Sequence, residues 1–288
     1  RGDQMLTLAV QKSGRLTDKT LNLLEECDIK LQNGRKAKLK NRAKNFDLEA
    51  LFMRDDDIPE VVFDEIADIG VVGENVFVEK GRDVKIIKRL GFSSCRLSLA
   101  IPKEQKYNGI QDFAGKKIAT SYPKILESEL TKRNVKAEIH VISGSVEIAP
   151  SIDLADAVFD IVSTGSTLRG NGLKEVETLM ESEAVLIARK SSLGDDQKIL
   201  DELLFRINSV MRASDKKYIL LNAPNSAIDE ISDILPGMKS PTVMPLAKEG
   251  WSSVHSVISE DDFWKNIKKL KDLGAEGVLT FPIEKMIL

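Results

Sequence analysis

The sequence predicts an α/β protein that ends in a ferredoxin-like domain. Two observations carry this. From Leu6 to Ala213, apolar runs of strand length alternate with segments whose apolar residues recur at helical spacing. After Ala213 the order becomes β-α-β-β-α-β over roughly seventy residues, the split βαβ arrangement. The 288 residues leave room for two or three domains, since a domain commonly takes roughly 100–150 residues.

Residues 6–10 read as a buried strand. The polar turn Gln11-Lys12-Ser13-Gly14-Arg15 follows, and a helix opens at Leu16-Thr17-Asp18 with Leu21, Leu23 and Leu24 on its apolar face. Lys12 and Arg15 sit where a strand–helix loop exposes cations, either for phosphate groups or as solvated charge. Residues 33–43 carry Arg35, Lys36, Lys38, Lys40 and Arg42 in alternation and predict a hairpin with one solvated face. They lack the interleaved aromatics of a nucleic-acid surface.

Residues 48–53 form the next predicted strand. Arg54-Asp55-Asp56-Asp57-Ile58-Pro59 then leads into a helix, with at least one Asp expected to cap it and Pro59 in its first turn. Arg54 is a candidate ligand contact. Residues 67–75 read as a buried strand delivering a glycine-bearing loop that lacks the dinucleotide fingerprint. Residues 84–90 and 95–101 are further strands. Arg96 interrupts the second, where a charge needs a partner or a ligand.

A second α/β succession begins with the strand 116–120. Ser121-Tyr122-Pro123 leads into the helix 124–133, residues 137–142 form a strand, and Ser143-Gly144-Ser145-Val146-Glu147 opens another helix. Glu147 there is either a first-turn cap or a ligand contact. Residues 176–180 and 184–187 are paired or successive strands, and residues 195–213 make a long amphipathic helix. The segments 218–221, 226–235, 242–246, 253–258, 260–273 and 277–283 supply the final β-α-β-β-α-β order.

The stretch most suggestive of chemistry is residues 153–167. An apolar run, 157–162, contains Asp160 and ends in the loop Ser163-Thr164-Gly165-Ser166-Thr167. If a helix starts near Thr167, the backbone N–H groups and the helix dipole form a phosphate cradle, with Asp160 beside it to accept from sugar hydroxyls. The same residues also describe a buried strand followed by a Ser/Thr cap. The loop lacks the Gly-Lys-Ser/Thr ending of a Walker A sequence.

Composition excludes several classes. Hydrophobic residues are 42% and charged residues 30%, as in an ordinary globular protein. A net charge of −3 gives no bulk attraction for nucleic acid. No apolar run approaches membrane length, roughly 18–20 residues. The N-terminal residues lack the apolar core of a signal peptide, and a natural start is expected at Met5. Two cysteines, Cys27 and Cys95, fit reduced thiols in a cytoplasmic protein. With only His140 and His255, a His-rich metal site or a His-dependent triad is not expected.

Taken in order, these motifs resemble the long form of ATP phosphoribosyltransferase, the first enzyme of histidine biosynthesis. The resemblance runs from Leu6 to Ile287. It rests on Gln11-Lys12-Ser13-Gly14-Arg15-Leu16, Arg54-Asp55-Asp56-Asp57-Ile58-Pro59 and Asp68-Ile69-Gly70-Val71-Val72-Gly73-Glu74-Asn75. Cys95-Arg96-Leu97-Ser98-Leu99-Ala100, Ala119-Thr120-Ser121-Tyr122-Pro123, Gly144-Ser145-Val146-Glu147, the 163–167 loop and Pro282-Ile283-Glu284-Lys285-Met286 complete it.

The resemblance implies a two-lobed catalytic part of type II periplasmic-binding-protein fold: lobe I over residues 5–101 with a return segment near 176–213, and lobe II over 102–175. A ferredoxin-like regulatory domain would occupy 214–288. It also implies transfer of the 5-phosphoribosyl group from phosphoribosyl pyrophosphate to N1 of ATP, with Mg²⁺ on the substrate phosphates and no enzyme nucleophile. Asp160 would then bind the ribose hydroxyls, and Ser163, Thr164, Gly165, Ser166 and Thr167 the 5-phosphate. Glu147 would stand beside the ribose or Mg²⁺. Lys12 and Arg15 would meet pyrophosphate or ATP phosphates, and Arg54 and Arg96 would contact ATP.

Asn222, Met238, Thr242 and Gly277 match the family's histidine site. The remaining implications are inhibition by histidine and AMP, a homo-oligomer between dimer and hexamer, and a cytoplasmic location without nucleic-acid or membrane partners. A two-lobed solute-binding protein, a catalytically silent paralogue and a different phosphoribosyltransferase are the competing readings.

Overall fold

Strands whose two faces are both covered read as largely apolar runs, and Leu6–Gln11, Ile69–Gly73, Cys95–Pro102, Ala157–Val162 and Ala184–Ala188 are of this kind. The computed structural model describes residues 5–32 and 39–288. The chain divides into two units. One runs to Glu25 and from Ile29 to Leu200, and the other is Glu26–Asp28 with Asp201–Leu288.

The first unit opens with β1 (Leu6–Gln11), α1 (Arg15–Glu26), β2 (Lys40–Arg42), β3 (Leu48–Met53), α2 (Ile58–Phe63), β4 (Ile69–Gly73), α3 (Glu74–Lys80) and β5 (Lys85–Arg89). It continues with β6 (Cys95–Pro102), β7 (Lys117–Thr120), α4 (Pro123–Lys132), β8 (Glu138–Val141), β9 (Ala157–Val162), α5 (Ser166–Gly170), β10 (Leu173–Ser182) and β11 (Ala184–Ala188). One sheet has the order β2-β3-β1-β4-β11-β5 and the other β10-β6-β9-β7-β8. In the first, β1 runs parallel to β3 and β4. In the second, β7 runs parallel to β8 and β9.

Each sheet has its own core. Ala9, Ile58, Val62, Val72, Val185 and Ile187 pack on one side of the first sheet. In the second, Leu97, Leu99, Phe113, Ile118, Leu126 and Phe159 meet. This core corrects the lobe boundaries implied by the resemblance. The strand at 95–102 belongs to the second sheet, not to lobe I, because Leu97 and Leu99 bury against β9 and α4. The strand at 173–182 likewise pairs with β6. Only residue 184 onward returns to the first sheet, so a single residue, Glu183, separates two strands in different sheets.

Local details differ too. The expected α-helix after Gly144 is a 3₁₀ segment, Val146–Ile152. Pro150 inside it has no N–H to continue an α-helical ladder. No side chain among Asp55–Asp57 caps α2; Asp56 instead pairs with Lys80 at 3.2 Å. Residues 33–38 of the predicted basic hairpin, including Arg35, Lys36 and Lys38, lie outside the described residues. The remainder pairs as β2 with β3 and through a bridge from Leu31 to Ala43.

The second unit takes most of α6 (Gln197–Ala213), then β12 (Lys216–Pro224), α7 (Ile228–Ile234), β13 (Thr242–Pro245), β14 (Trp251–Ser259), α8 (Glu260–Asp272) and β15 (Glu276–Pro282). Its antiparallel sheet has the order β13-β14-β12-β15, the ferredoxin-like order. Ile219, Leu221, Val254, Ile231, Leu235 and Leu270 form its core. Its border at Leu200/Asp201 precedes the expected one at 213–214. The later part of α6 is tied in by Arg206, which donates to Cys27 O at 3.2 Å, and by Met286 N, which donates to Ser209 O at 2.9 Å. Ser259 caps α8 by accepting from Asp262 N at 3.1 Å. Among the described residues, no helix is long and apolar enough to cross a membrane.

Candidate active site

Parallel strands place all their C-terminal ends on one edge, and the loops there are the usual ligand-bearing positions of α/β sheets. In the first sheet that edge carries Lys12 after β1, Arg54 after β3 and Glu74-Asn75 after β4. Lys12 N donates to Met53 O at 2.7 Å, which joins the first two loops. Lys12, Arg15 and Arg54 are exposed, and no ion pair among the described residues engages them. In the second sheet the same edge carries Ser121 and Tyr122 after β7, the approach to Glu147 after β8, and the 163–167 loop after β9.

Ala157, Val158 and Phe159 bury β9, and Asp160 is its half-buried polar exception. Asp160 Oδ1 accepts from Ile161 N at 2.8 Å. Burial raises its pKa, the Ile161 N–H opposes that, and the nearby Glu147 charge raises it further. The pair Asp160 and Glu147, predicted separately, are therefore electrostatic neighbours.

The loop itself differs from a simple cap. The N-cap of α5 is Gly165, with φ +74° and no side-chain cap bond. Thr164 Oγ1 lies 3.0 Å from Ser166 Oγ and accepts a long bond, 3.4 Å, from Ser166 N. α5 has five residues, too short for the expected helix dipole to matter; any anion binding must come from the loop's N–H and hydroxyl groups.

Arg96 has a partner already. Its Nε and one terminal nitrogen meet Glu175 at 2.5 and 2.6 Å, and its other terminal nitrogen donates to Ser163 O at 3.2 Å. It is thus tied to Glu175 and to the loop, the partner its place in a strand called for.

Three residues near these loops were not among the predicted site residues. Asn75 Nδ2, from the first sheet's edge, donates to Tyr122 OH of the second at 3.1 Å. Burial drives the Tyr122 pKa up, and the charges of Asp160 and Asp55 add to the rise. Asn75 and Tyr122 therefore face one another where the two sheets meet. The third is Arg169. A Cβ added at Gly165 would lie 2.9 Å from an Arg169 terminal nitrogen, so this cation folds back beside the loop. Helical side chains lean toward the N-terminus, which is the signal that finds it. A cavity of about 330 Å³ at the opposite end of β9, by Tyr107, Asp156 and Ala157, holds none of the predicted residues.

In the second unit, Asn222 and Gly277 are neighbours: a Cβ at Gly277, φ +58°, would lie 3.6 Å from Asn222 Nδ2. Thr242 is on the edge strand opposite His255, and Met238 is exposed in the loop before it. His255, not among the predicted site residues, contacts Tyr218 OH at 2.9 Å through Nδ1 and Ser253 Oγ at 3.0 Å through Nε2.

The fold defines an α/β protein of two sheets whose parallel strands end in ligand-type loops, with an added ferredoxin-like domain. The family profile described as HisG, ATP phosphoribosyltransferase, matches residues 54–209, and that described as HisG, C-terminal domain, matches 213–285. The ATP phosphoribosyltransferase of Parabacteroides distasonis is 61% identical over 284 residues, 99% of this chain and 100% of that protein. That of Cytophaga hutchinsonii is 54% identical over 283 residues, 98% of this chain and 99% of that protein. Among solved structures, the ATP phosphoribosyl transferase (HisG:HisZ) complex from Thermotoga maritima is similar, with TM-score 0.60 and 26% identity over 71% of this chain and 99% of that one. The chain belongs to the ATP phosphoribosyltransferase family, transferases of histidine biosynthesis.

Proposed function

We propose that this chain transfers the 5-phosphoribosyl group of phosphoribosyl pyrophosphate to N1 of ATP, releasing pyrophosphate, and that histidine inhibits it. The observation that carries the catalytic half is the half-buried Asp160 carboxylate at the end of β9, followed at once by the 163–167 loop with Gly165 at φ +74°. The carboxylate accepts the ribose hydroxyls, and the loop N–H and hydroxyl groups of Ser163, Thr164, Gly165, Ser166 and Thr167 hold the 5-phosphate. Lys12 and Arg15 take the pyrophosphate or ATP phosphates, with Arg54 beside them on the facing edge.

Adenine N1 is the nucleophile, so the protein's work is alignment and charge stabilisation. Among the described residues no cluster of three or more His, Cys, Asp or Glu is arranged for a metal ion. Mg²⁺ would be carried mainly on the substrate phosphates, with Asp160 and Glu147 the carboxylates available to it from this site. When bound, Mg²⁺ supplies charge neutralisation at the leaving pyrophosphate.

The regulatory half rests on the ferredoxin-like unit, with Asn222 beside Gly277 and with Met238 and Thr242 on the following loop and edge strand. Histidine is the proposed ligand there, and AMP is proposed to compete at the nucleotide site. The chain is read as a cytoplasmic homo-oligomer, between dimer and hexamer. The test mixes protein, ATP, phosphoribosyl pyrophosphate, Mg²⁺ and a pyrophosphatase, and follows phosphoribosyl-ATP by ultraviolet absorbance with and without histidine. Product suppressed by histidine supports both halves. Product indifferent to histidine sinks the regulatory half, and folded protein that binds neither substrate sinks the whole reading in favour of a different ligand.

A further inference from the structure

We propose that Arg96 and Glu175 form a strut that sets the orientation of the Ser163–Thr164 peptide and so aims the Thr164 N–H at the substrate's 5-phosphate. Both are positioning residues in this account; neither touches the substrate. The inference rests on the reading of residues 163–167 as the phosphate loop.

Register brings the parts together. Across β6 and β9, Arg96 stands opposite Val162 and Ser98 opposite Asp160, so Arg96 lies where the loop leaves its strand. Directly opposed residues of an antiparallel pair share one face of the sheet. From the other side, Glu175 stands opposite Ala100, next to a register shift between Glu175 and Glu177. Glu175 therefore shares that face and reaches along it to Arg96.

The contact is a two-pronged one. Arg96 Nε donates to Glu175 Oε1 at 2.5 Å, and a second nitrogen donates to Oε2 at 2.6 Å. This planar fork fixes the guanidinium's rotation as well as its place. Ser98, 1% exposed, holds the carboxylate from below by donating to Glu175 Oε1 at 2.7 Å, and Thr178 Oγ1 lies 3.1 Å from the same hydroxyl. Arg96 hydrogen bonding lowers the Glu175 pKa, and the Ser98 bond adds to this against the effect of burial, so the carboxylate stays charged.

With two nitrogens fixed, the third has one direction left. It donates to Ser163 O at 3.2 Å. A trans peptide holds its C=O and the following N–H on opposite sides. Drawing Ser163 O toward β6 therefore turns Thr164 N–H away from β6, into the loop. Backbone N–H groups bind an anion well only when they converge before it arrives. Arg96 thereby acts on the phosphoribosyl side of the reaction and not on ATP.

The experiment compares full-length wild type with Arg96→Lys, Glu175→Gln and the double variant. It reads KM for phosphoribosyl pyrophosphate, KM for ATP, kcat and thermal midpoint. Lysine keeps the charge but lacks the fork. Each single variant is expected to raise KM for phosphoribosyl pyrophosphate about tenfold, the size of one charge-assisted hydrogen bond. The double variant should be no worse than either single one, because one strut is broken in all three. KM for ATP should stay within about twofold.

An unchanged KM for phosphoribosyl pyrophosphate, equal rises in both KM values, additive effects, or a rise confined to ATP would each overturn the strut. If Glu175→Gln melts too low to assay, Arg96→Lys alone decides. Calorimetric titration of wild type with phosphoribosyl pyrophosphate separates the two levels. No binding, or unaltered binding in Asp160→Asn, removes the loop reading itself. Normal wild-type binding, weakened in Asp160→Asn but not in the strut variants, removes only the strut.

Discussion

The side-chain amide of Asn75 donates to the phenolic oxygen of Tyr122 at 3.1 Å, joining the first turn of α3, after β4 of the first sheet, to the loop after β7 in the second. Asn75 is 5% exposed, and its Oδ1 also accepts from Ser182 Oγ at 3.0 Å. Burial raises the Tyr122 pKa, so the phenol remains protonated across the neutral range. Asn75→Ala leaves the buried Ser182 hydroxyl and the part-buried Tyr122 hydroxyl without this partner and should cost about 2 kcal/mol, whereas Tyr122→Phe should cost about 1 kcal/mol. Urea unfolding measures both; equal stability of Asn75→Ala and wild type would remove the bridge from the account.

A second clasp lies nearby. Glu79, near the end of α3, accepts from Lys124 N at 3.1 Å and Ile125 N at 3.0 Å, so one lobe's carboxylate caps the other lobe's helix α4. Glu79→Ala should lower stability by about 1 kcal/mol, as loss of a charged helix cap does. Thermal melts at low and high salt check this, with the wild-type advantage expected to shrink as salt rises.

Asp160→Asn keeps the volume of the side chain but removes the charge that accepts from ribose hydroxyls. Turnover should fall at least about a hundredfold, the usual cost of losing a preorganised electrostatic contact. Circular dichroism should stay unchanged. Near-normal turnover would take Asp160 out of the mechanism.

The pH profile follows from the same carboxylate. Burial raises the Asp160 pKa above its ordinary 3.8, and Glu147 raises it further. A raised carboxylate pKa favours the neutral form in the folded state, so its contribution to stability is present at acid pH and fades as pH climbs through the folded value. Sugar binding needs the ionised form. The acid limb of kcat/KM for phosphoribosyl pyrophosphate should therefore lie above the ordinary Asp range, and Glu147→Gln should move that limb to lower pH. A limb that stays put or moves upward in Glu147→Gln contradicts the coupling.

Gly165→Ala should weaken phosphoribosyl pyrophosphate binding while leaving ATP binding near wild type. At φ +74° a Cβ costs about 1 kcal/mol, and it would press on Arg169, whose nitrogen lies 2.9 Å away. Separate KM values for the two substrates test this, and equal losses for both would point to general unfolding of the loop.

Much of this protein is legible in one dimension because it depends on neighbours in sequence. The run 157–162 announces a buried strand, and the small residues after it announce a loop that lets a ligand near its backbone. Gln11 to Arg15 announces a strand–helix turn with cations on it. The β-α-β-β-α-β order of the last unit is read from periodicity, and its strand order is the ferredoxin-like one. These features follow from side-chain period and local backbone preference, which act within a few residues.

Other decisions belong to the tertiary structure. An apolar strand does not state which sheet will cover it: Cys95–Pro102 lies in the second sheet, and Leu173–Ser182 joins it there while Ala184–Ala188 goes to the first. Arg96 read as a charge needing a partner or a ligand, and the partner, Glu175, is 79 residues away. Asn75 and Tyr122 are 47 residues apart and meet only when two sheets close on each other. The sequence by itself determined most of the elements and the family, because these rest on local pattern and motif order. The fold alone decided which charges were already paired and which stayed exposed, because hydrogen bonds and Coulomb forces act through space, over distances that chain order does not record.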